Sequence, residues 1–358
     1  MELSPLRYAV IGLGGVAQVH LRDISSQAGV TVVGFADDAD PARWRVPAAH
    51  VTVPRYQSVE KMLRETCPDL VSICTPNKFH CDYTLLALKH GAHVACEKPM
   101  AMTVAEAERM EVARAAAGRI GGINFTYRGV PAFRFARALI AAGELGRVTR
   151  VNSVYLQSFL GASATPYSWR NDASLAGFGA LGDLGVHQID SVHFITGLDY
   201  QRVVGHAQIL APEKADAAGA TQSVTTDTNA AFLAELTGNV LATFETTQVA
   251  PGFGNFFRIE ISGERGTLAV HSDHPEQIWL HSGESMTRYA TWKTNLPQQN
   301  VPTDFIYRCG PTSPGAIVPA IRGEPPGDMP TFADGLRAQR VLGAILGSMK
   351  AGGWQSLS

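Results

Sequence analysis

The sequence has little cysteine and no excess of charge of either sign. Its five cysteines, Cys67, Cys74, Cys81, Cys96 and Cys309, are odd in number and nowhere spaced C-x-x-C. This argues against a disulfide framework or a zinc knuckle. Lys and Arg number 30 against 32 Asp and Glu, a formal net charge of −2 with His neutral. Such a balance gives no electrostatic case for nucleic acid or an acidic membrane surface. No apolar run approaches the roughly 20 residues of a membrane span. Met1 to Ile11 carries charge and a proline rather than a basic region followed by an apolar one, so no signal peptide is expected and the expected compartment is cytoplasmic. What is present is globular: 45% hydrophobic and 17% charged residues over 358 positions. At about 150 residues per domain, that length suggests two domains.

Short apolar runs at 7–11, 30–36, 70–74, 93–96 and 120–123 read as buried strands. Helical patterns lie between them at 15–27, 58–65, 79–90 and 103–117, the last opened by a capping box, Thr103-Val-Ala-Glu106. This alternation predicts a parallel sheet with helices on both faces over residues 1–124. A helix is expected at 130–142. Beyond it, β-branched segments at 148–158, 201–210, 224–236, 239–248, 256–262 and 266–271 predict a mainly antiparallel, open-faced sheet in meander order. Gly238-Asn239 reads as a hairpin turn. A helix at 182–196 interrupts this region, 296–330 reads as a long ordered loop, and a final helix runs from near Thr331 to Lys350. The expected division is 1–124, 125–330 and 331–358, the last a closing C-terminal helix.

Gly12-Leu-Gly14-Gly15-Val16-Ala17 has the form G-x-G-x-x-A. Alone it is a weak signal. Here it follows a strand, opens a helix, and is matched by Asp37 at the end of the next strand. Gly12 permits a tight turn, Gly14 lets backbone approach a pyrophosphate, and Ala17 keeps the helix close to the strand. Asp37 suits a ribose diol and would repel a 2′-phosphate, which favours NAD over NADP, although Arg43 nearby leaves NADP open. The bland reading is a strand–helix turn without ligand.

Thr75-Pro76-Asn77-x-x-His80 follows the strand at 70–74 and should flank the dinucleotide, since ligands of such sheets sit at the carboxyl ends of strands. For His80 alone, a structural role and a functional one stand level. Glu97-Lys98-Pro99 ends the strand at 93–96. Pro99 forces Lys98 into an extended conformation, aiming its ammonium at the crevice, where it would stabilise a developing alkoxide; Glu97 is its expected ion-pair partner. Gly177 to Asp190 is the most informative stretch. Asp183 and His187 are spaced i, i+4 on one helix face, which Asp190 extends. A carboxylate beside an imidazole orients it and raises its pKa, so His187 reads as a general acid/base. The alternatives are a helix-start Asp with a core His, or a metal site with His193. No metal is expected, because His193 lies off that face.

Taken together, these segments resemble the Gfo/Idh/MocA oxidoreductases, the family of glucose–fructose oxidoreductase and inositol dehydrogenase. Asn124-Phe-Thr-Tyr-Arg128, Trp169-Arg170, Glu260 to Leu268 and Phe332 to Arg340 share the likeness, which covers essentially the whole chain. The resemblance implies an α/β Rossmann domain followed by an α+β domain whose open sheet forms a homodimer or homotetramer contact. It implies an NAD(P)-dependent oxidation or reduction at a carbon of a sugar, sugar derivative or cyclitol. It assigns the catalytic trio to Lys98, Asp183 and His187, places Trp169 and Arg170 near cofactor or substrate, and adds Arg128 to the substrate contacts. Three other functions stay open: an NAD-dependent glycoside hydrolase using transient oxidation, a ketoreductase on an activated sugar, and a non-catalytic NAD-binding regulator. The stretch 285–320 matches nothing interpretable and is a candidate for shaping substrate choice.

Overall fold

A computed structural model describes residues 5–39, 41–158, 165–283, 285–290 and 313–357. The chain forms two compact units, 1–126 with 311–339, and 127–310 with 340–358.

The first unit contains β1 (Leu6–Ile11), α1 (Ala17–Ser25), β2 (Val30–Ala36), β3 (Arg55–Tyr56), α2 (Val59–Thr66), β4 (Leu70–Ile73), α3 (His80–Lys89), β5 (His93–Cys96), α4 (Val104–Ala117) and β6 (Gly121–Ile123). The strands pair in parallel in the order β3-β2-β1-β4-β5-β6. This is the doubly wound order, and its switch point lies between β1 and β4. The central strands are apolar without alternation because helices cover both faces; every residue of β4 is buried. The capping box of α4 forms as its sequence indicates, Thr103 accepting from the Glu106 amide and Glu106 from the Thr103 amide.

The second unit contains α5 (Pro131–Ala141), β7 (Val148–Gln157), α6 (Ala173–Ala176), α7 (Val186–Thr196), β8 (Tyr200–Gln208), β9 (Glu213–Ala215), β10 (Thr221–Ser223), β11 (Asn229–Leu236), β12 (Val240–Thr247), β13 (Asn255–Gly263), β14 (Gly266–His271), β15 (Gln277–Ser282) and β16 (Ser285–Ala290). The chain closes with α8 (Ser313–Ile321), α9 (Phe332–Ala351) and β17 (Gln355–Ser356). The large sheet runs β16-β15-β14-β13-β7-β12-β11-β8-β17. One face of it is buried: β11 alternates along its length, with Ala230, Phe232, Ala234 and Leu236 inside. Gly238 and Asn239 turn the β11–β12 hairpin with φ of 79° and 60°, the left-handed region that such a turn requires.

Three expectations are corrected here. The sheet is not a simple meander, because β7 lies between β13 and β12 and runs parallel to β12. Residues 313–321 are helical rather than loop, and they belong with the first unit; residues 296–312 of that expected loop, with Cys309, lie outside the described residues. Packing explains α8: Ile317 and Val318 are fully buried in the core of the parallel-sheet unit. The glycine pair of β6 makes room for it, since a Cβ on Gly122 would lie 2.8 Å from Ile317, and one on Gly121 would lie 2.7 Å from the Phe332 ring. The closing helix is likewise shared between units, its residues through Gln339 counting with the first and those from Arg340 with the second. Among the described residues no helix is long and apolar enough to cross a membrane.

Candidate active site

In the first unit, three neighbouring strands end side by side. After β1, Gly12 takes φ of 87°, and a Cβ there would lie 2.7 Å from the Cys74 carbonyl and 2.9 Å from the Thr75 amide nitrogen. Only glycine fits. A Cβ on Gly14, by contrast, would meet nothing within 4 Å. Among the described residues nothing crowds that position, so the backbone there is open to a ligand. Ala17 is fully buried, and no side chain caps the start of α1. Gly15 and Val16 form the turn that leads in, accepting from the amides of Gln18 and Val19.

Asp37 closes the loop from the side. Its Oδ2 accepts from the Leu13 amide at 2.6 Å and its Oδ1 from the Ala39 amide at 2.9 Å. Each oxygen keeps a lone pair for a diol. After β4, the hydroxyl of Thr75 is buried and has no hydrogen-bond partner among the described residues. An orphaned donor at that point, an open Gly14 and an uncapped helix start fit the phosphates and ribose of a dinucleotide. Pro76 and Asn77 start the short turn that leads into α3, with Asn77 buried.

Two residues of this unit have partners that the sequence did not indicate. The two ring nitrogens of His80 lie 2.9 Å from the Pro99 carbonyl and 3.0 Å from the Thr75 carbonyl, and the ring is fully buried. Both ring nitrogens face carbonyls of the chain itself, and a neutral imidazole donates to one of them at a time. Its burial lowers its pKa, against the opposing effect of those carbonyls. Glu97 has partners beyond the expected Lys98, whose charge also acts on it. Its Oε1 lies 2.8 Å from His20 Nε2 and 2.5 Å from Asn124 Nδ2, and its Oε2 accepts the Lys98 backbone N–H at 3.2 Å. Burial would raise Glu97, but His20, Lys98 and Asn124 hold it down at about 2. Lys98 itself is half-buried at the end of β5.

In the second unit, the segment bearing Asp183 and His187 is not one regular α-helix. Leu181–Gly185 is a π turn, and α7 begins at Val186. The i, i+4 alignment read from the sequence therefore changes within that turn, because a π turn winds wider. Asp227 anchors it. Its carboxylate accepts from the Gly179 and Leu181 amides, both at 2.7 Å, and its carbonyl from the Ala180 amide at 2.8 Å. Gly179 must be glycine, since a Cβ would lie 1.7 Å from the Asp227 carbonyl oxygen. Gln248, buried after β12, donates to Asp183 Oδ2 at 3.1 Å. His187 is 6% exposed, with the Tyr127 ring edge-on at 5.2 Å and Tyr155 at 6.4 Å.

Arg128 is committed elsewhere. Its guanidinium forks onto Asp190, with Nη2 to Oδ1 at 2.5 Å and Nε to Oδ2 at 3.0 Å, and lies 5.2 Å from the Phe194 ring centroid. Both partners are buried, so this pair fastens α7 to the segment before α5 and explains Asp190 as well. The Arg170 guanidinium lies 4.4 Å from the Trp169 ring centroid. His193 Nδ1 contacts the Leu198 carbonyl at 3.0 Å. No group of three or more His, Cys, Asp or Glu side chains that could hold a metal ion occurs among the described residues. Sequence reading missed Asp227, Gln248 and His20. Of these only His20 carries a signal, a polar residue on the apolar stripe of Ala17, Leu21 and Ile24.

Comparison with known proteins agrees with this architecture. Residues 6–125 match the model of an oxidoreductase family with an NAD-binding Rossmann fold, and 133–269 match that of the GFO/IDH/MocA C-terminal domain. The chain is 30% identical over 226 residues to levoglucosan dehydrogenase of Pseudarthrobacter phenanthrenivorans, a match covering 59% of this chain and 58% of that protein. It thus spans little more than half of that relative. An oxidoreductase domain protein from Kribbella flavida superposes with a TM-score of 0.88 at 31% identity, over 99% of this chain and 100% of that one. An inositol dehydrogenase homolog from Azotobacter vinelandii, complexed with NAD+, superposes at 0.83 and 24% identity over 99% and 97%, a likeness of fold.

Proposed function

We propose that this chain, which belongs to the Gfo/Idh/MocA family of oxidoreductases, moves a hydride between a nicotinamide cofactor and a carbinol or keto carbon of a sugar, sugar derivative or cyclitol. The observation that carries the reading is the trio of strand ends in the parallel sheet: open glycine backbone after β1, the orphaned Thr75 hydroxyl after β4, and Lys98 after β5. The backbone of Gly12 to Ala17 would hold a pyrophosphate, Asp37 a ribose diol, and Thr75 to Asn77 the neighbouring sugar. The bound dinucleotide supplies the hydride acceptor or donor.

The remaining work falls to side chains. Lys98 donates a hydrogen bond to the substrate oxygen and stabilises the negative charge that grows there. His187 takes the proton of the same hydroxyl, or returns it in the reducing direction. Asp183, fixed by Gln248, orients the substrate through a neighbouring hydroxyl. Trp169 and Arg170 border the substrate or cofactor. The outer face of the large sheet, with Leu233 and Leu241 exposed, serves as the contact between copies of the chain. The test is absorbance at the NADH band over a panel of sugars and cyclitols, with NAD and NADP in parallel. The reading expects NADH from at least one of them. Tight NAD binding without turnover on any would favour a regulator instead.

A further inference from the structure

Two histidines, each fully buried, reach the Glu97-Lys98-Pro99 segment from different helices. The crossovers from β1 to β2 and from β4 to β5 step in opposite directions along the sheet. Both being right-handed, they put α1 and α3 on opposite faces. His20 belongs to α1, the helix that the glycine loop opens; its Nε2 lies 2.8 Å from Glu97 Oε1, while its Nδ1 lies 3.0 Å from the Ser72 hydroxyl. Tyr8 donates to the same Ser72 hydroxyl at 2.6 Å. Glu97 in turn takes the Lys98 amide. From the other face, His80 reaches the Pro99 carbonyl at 2.9 Å and the Thr75 carbonyl at 3.0 Å. Thr75 is a residue whose amide nitrogen leaves no room for a Cβ at Gly12.

We infer that His20 and His80 are positioning residues for the proposed reaction: from opposite faces of the parallel sheet they clamp the backbone on either side of Lys98 and hold its ammonium in register with the strand ends that receive the dinucleotide. The inference rests on the role given to Lys98 above. A core that needed only to be filled would be served at both positions by leucine or phenylalanine, without the cost of burying imidazoles and a carboxylate. Polar groups in such a place, each with partners, specify one arrangement. What they specify here is the path of residues 97–99, tied to the neighbouring strands at both ends.

The test uses the full chain with His20→Ala, His20→Gln, His80→Ala and His80→Gln; the glutamines keep a donor that the alanines remove. Three quantities are read: NADH affinity by fluorescence, kcat and KM separately, and hydrogen exchange at the Lys98 amide. In folded His20→Ala, exchange at Lys98 rises about tenfold and kcat falls about 10²-fold, with KM and NADH affinity close to wild type. His20→Gln recovers most of both. Should His20→Ala not fold, the His80 pair carries the same comparison from the Pro99 side. Wild-type exchange and kcat in the folded alanine variants would overturn the inference. Faster exchange at Lys98 with an unchanged kcat would leave the clamp standing and overturn the role of Lys98.

Discussion

His20 Nε2 lies 2.8 Å from Glu97 Oε1 in the interior of the parallel-sheet unit, 77 positions apart in the chain. Burial would lower the imidazole; Cys74 and the hydrogen bond and charge of Glu97 outweigh it and push His20 up to about 10. Burial likewise pushes the Cys74 thiol up, with the charge and hydrogen bond of His20 opposing it.

This pair sets a pH window. Glu97, held at about 2 against an ordinary 4.5, contributes stability above 4.5 that is lost as pH falls through 2. His20, raised to about 10 from 6.5, contributes stability below 6.5 that is lost as pH rises through 10. The two describe one interaction, fully present between 4.5 and 6.5. Nitrogen-15 spectra of the imidazole are expected to show His20 protonated at about pH 8, above the ordinary histidine range. Titration of His20 within that range would contradict the pairing.

Asp227 is expected to matter for stability well beyond its place between two strands. Two amides point at its two carboxylate oxygens. Asp227→Ala leaves both donors buried without an acceptor and is expected to cost about 2–4 kcal/mol. Asp227→Asn offers one oxygen to two donors and falls between. Urea unfolding measures both; a loss below about 0.5 kcal/mol, the range of ordinary surface changes, would show that Asp227 does not anchor the π turn.

Much of this was legible in the sequence for physical reasons. Buried parallel strands must be largely apolar, so 70–74 and 93–96 announce themselves. Gly12 must be glycine because no side chain fits against Cys74 and Thr75. What stayed hidden was non-local. Nothing local in β7 says that it pairs in parallel with β12. The prolines and glycine of 313–321 suggest loop, and only the burial of Ile317 and Val318 makes it a helix. The spacing of Asp183 and His187 presumes 3.6 residues per turn, which the π turn breaks. For His80 the structural and functional readings stood level because its partners are carbonyls, which carry no sequence signature.

Asp37 is expected to set the cofactor preference. Asp37→Ser removes the charge that would oppose a 2′-phosphate while keeping an acceptor toward the Leu13 amide. The ratio of kcat/KM for NADP over NAD is expected to rise about tenfold or more, about 1.4 kcal/mol. An unchanged ratio would remove Asp37 from the ribose site.

The outer sheet face makes a prediction about assembly. Leu241 is 49% exposed and Leu233 39%. Light scattering after gel filtration is expected to give a dimer or tetramer, and Leu233→Asp with Leu241→Asp to give a monomer. A wild-type monomer at micromolar concentration would contradict a contact on this face.

The proton and the hydride can be followed separately. His187→Ala is expected to lower turnover about 10²–10⁴-fold and leave NADH affinity near wild type. The most direct measurement uses the best substrate of the panel with deuterium at its carbinol carbons, and mass spectrometry of the reduced nicotinamide. Direct transfer from carbon predicts NADH that carries deuterium, slowly formed by His187→Ala with the same label. Reduced nicotinamide without deuterium would contradict the account.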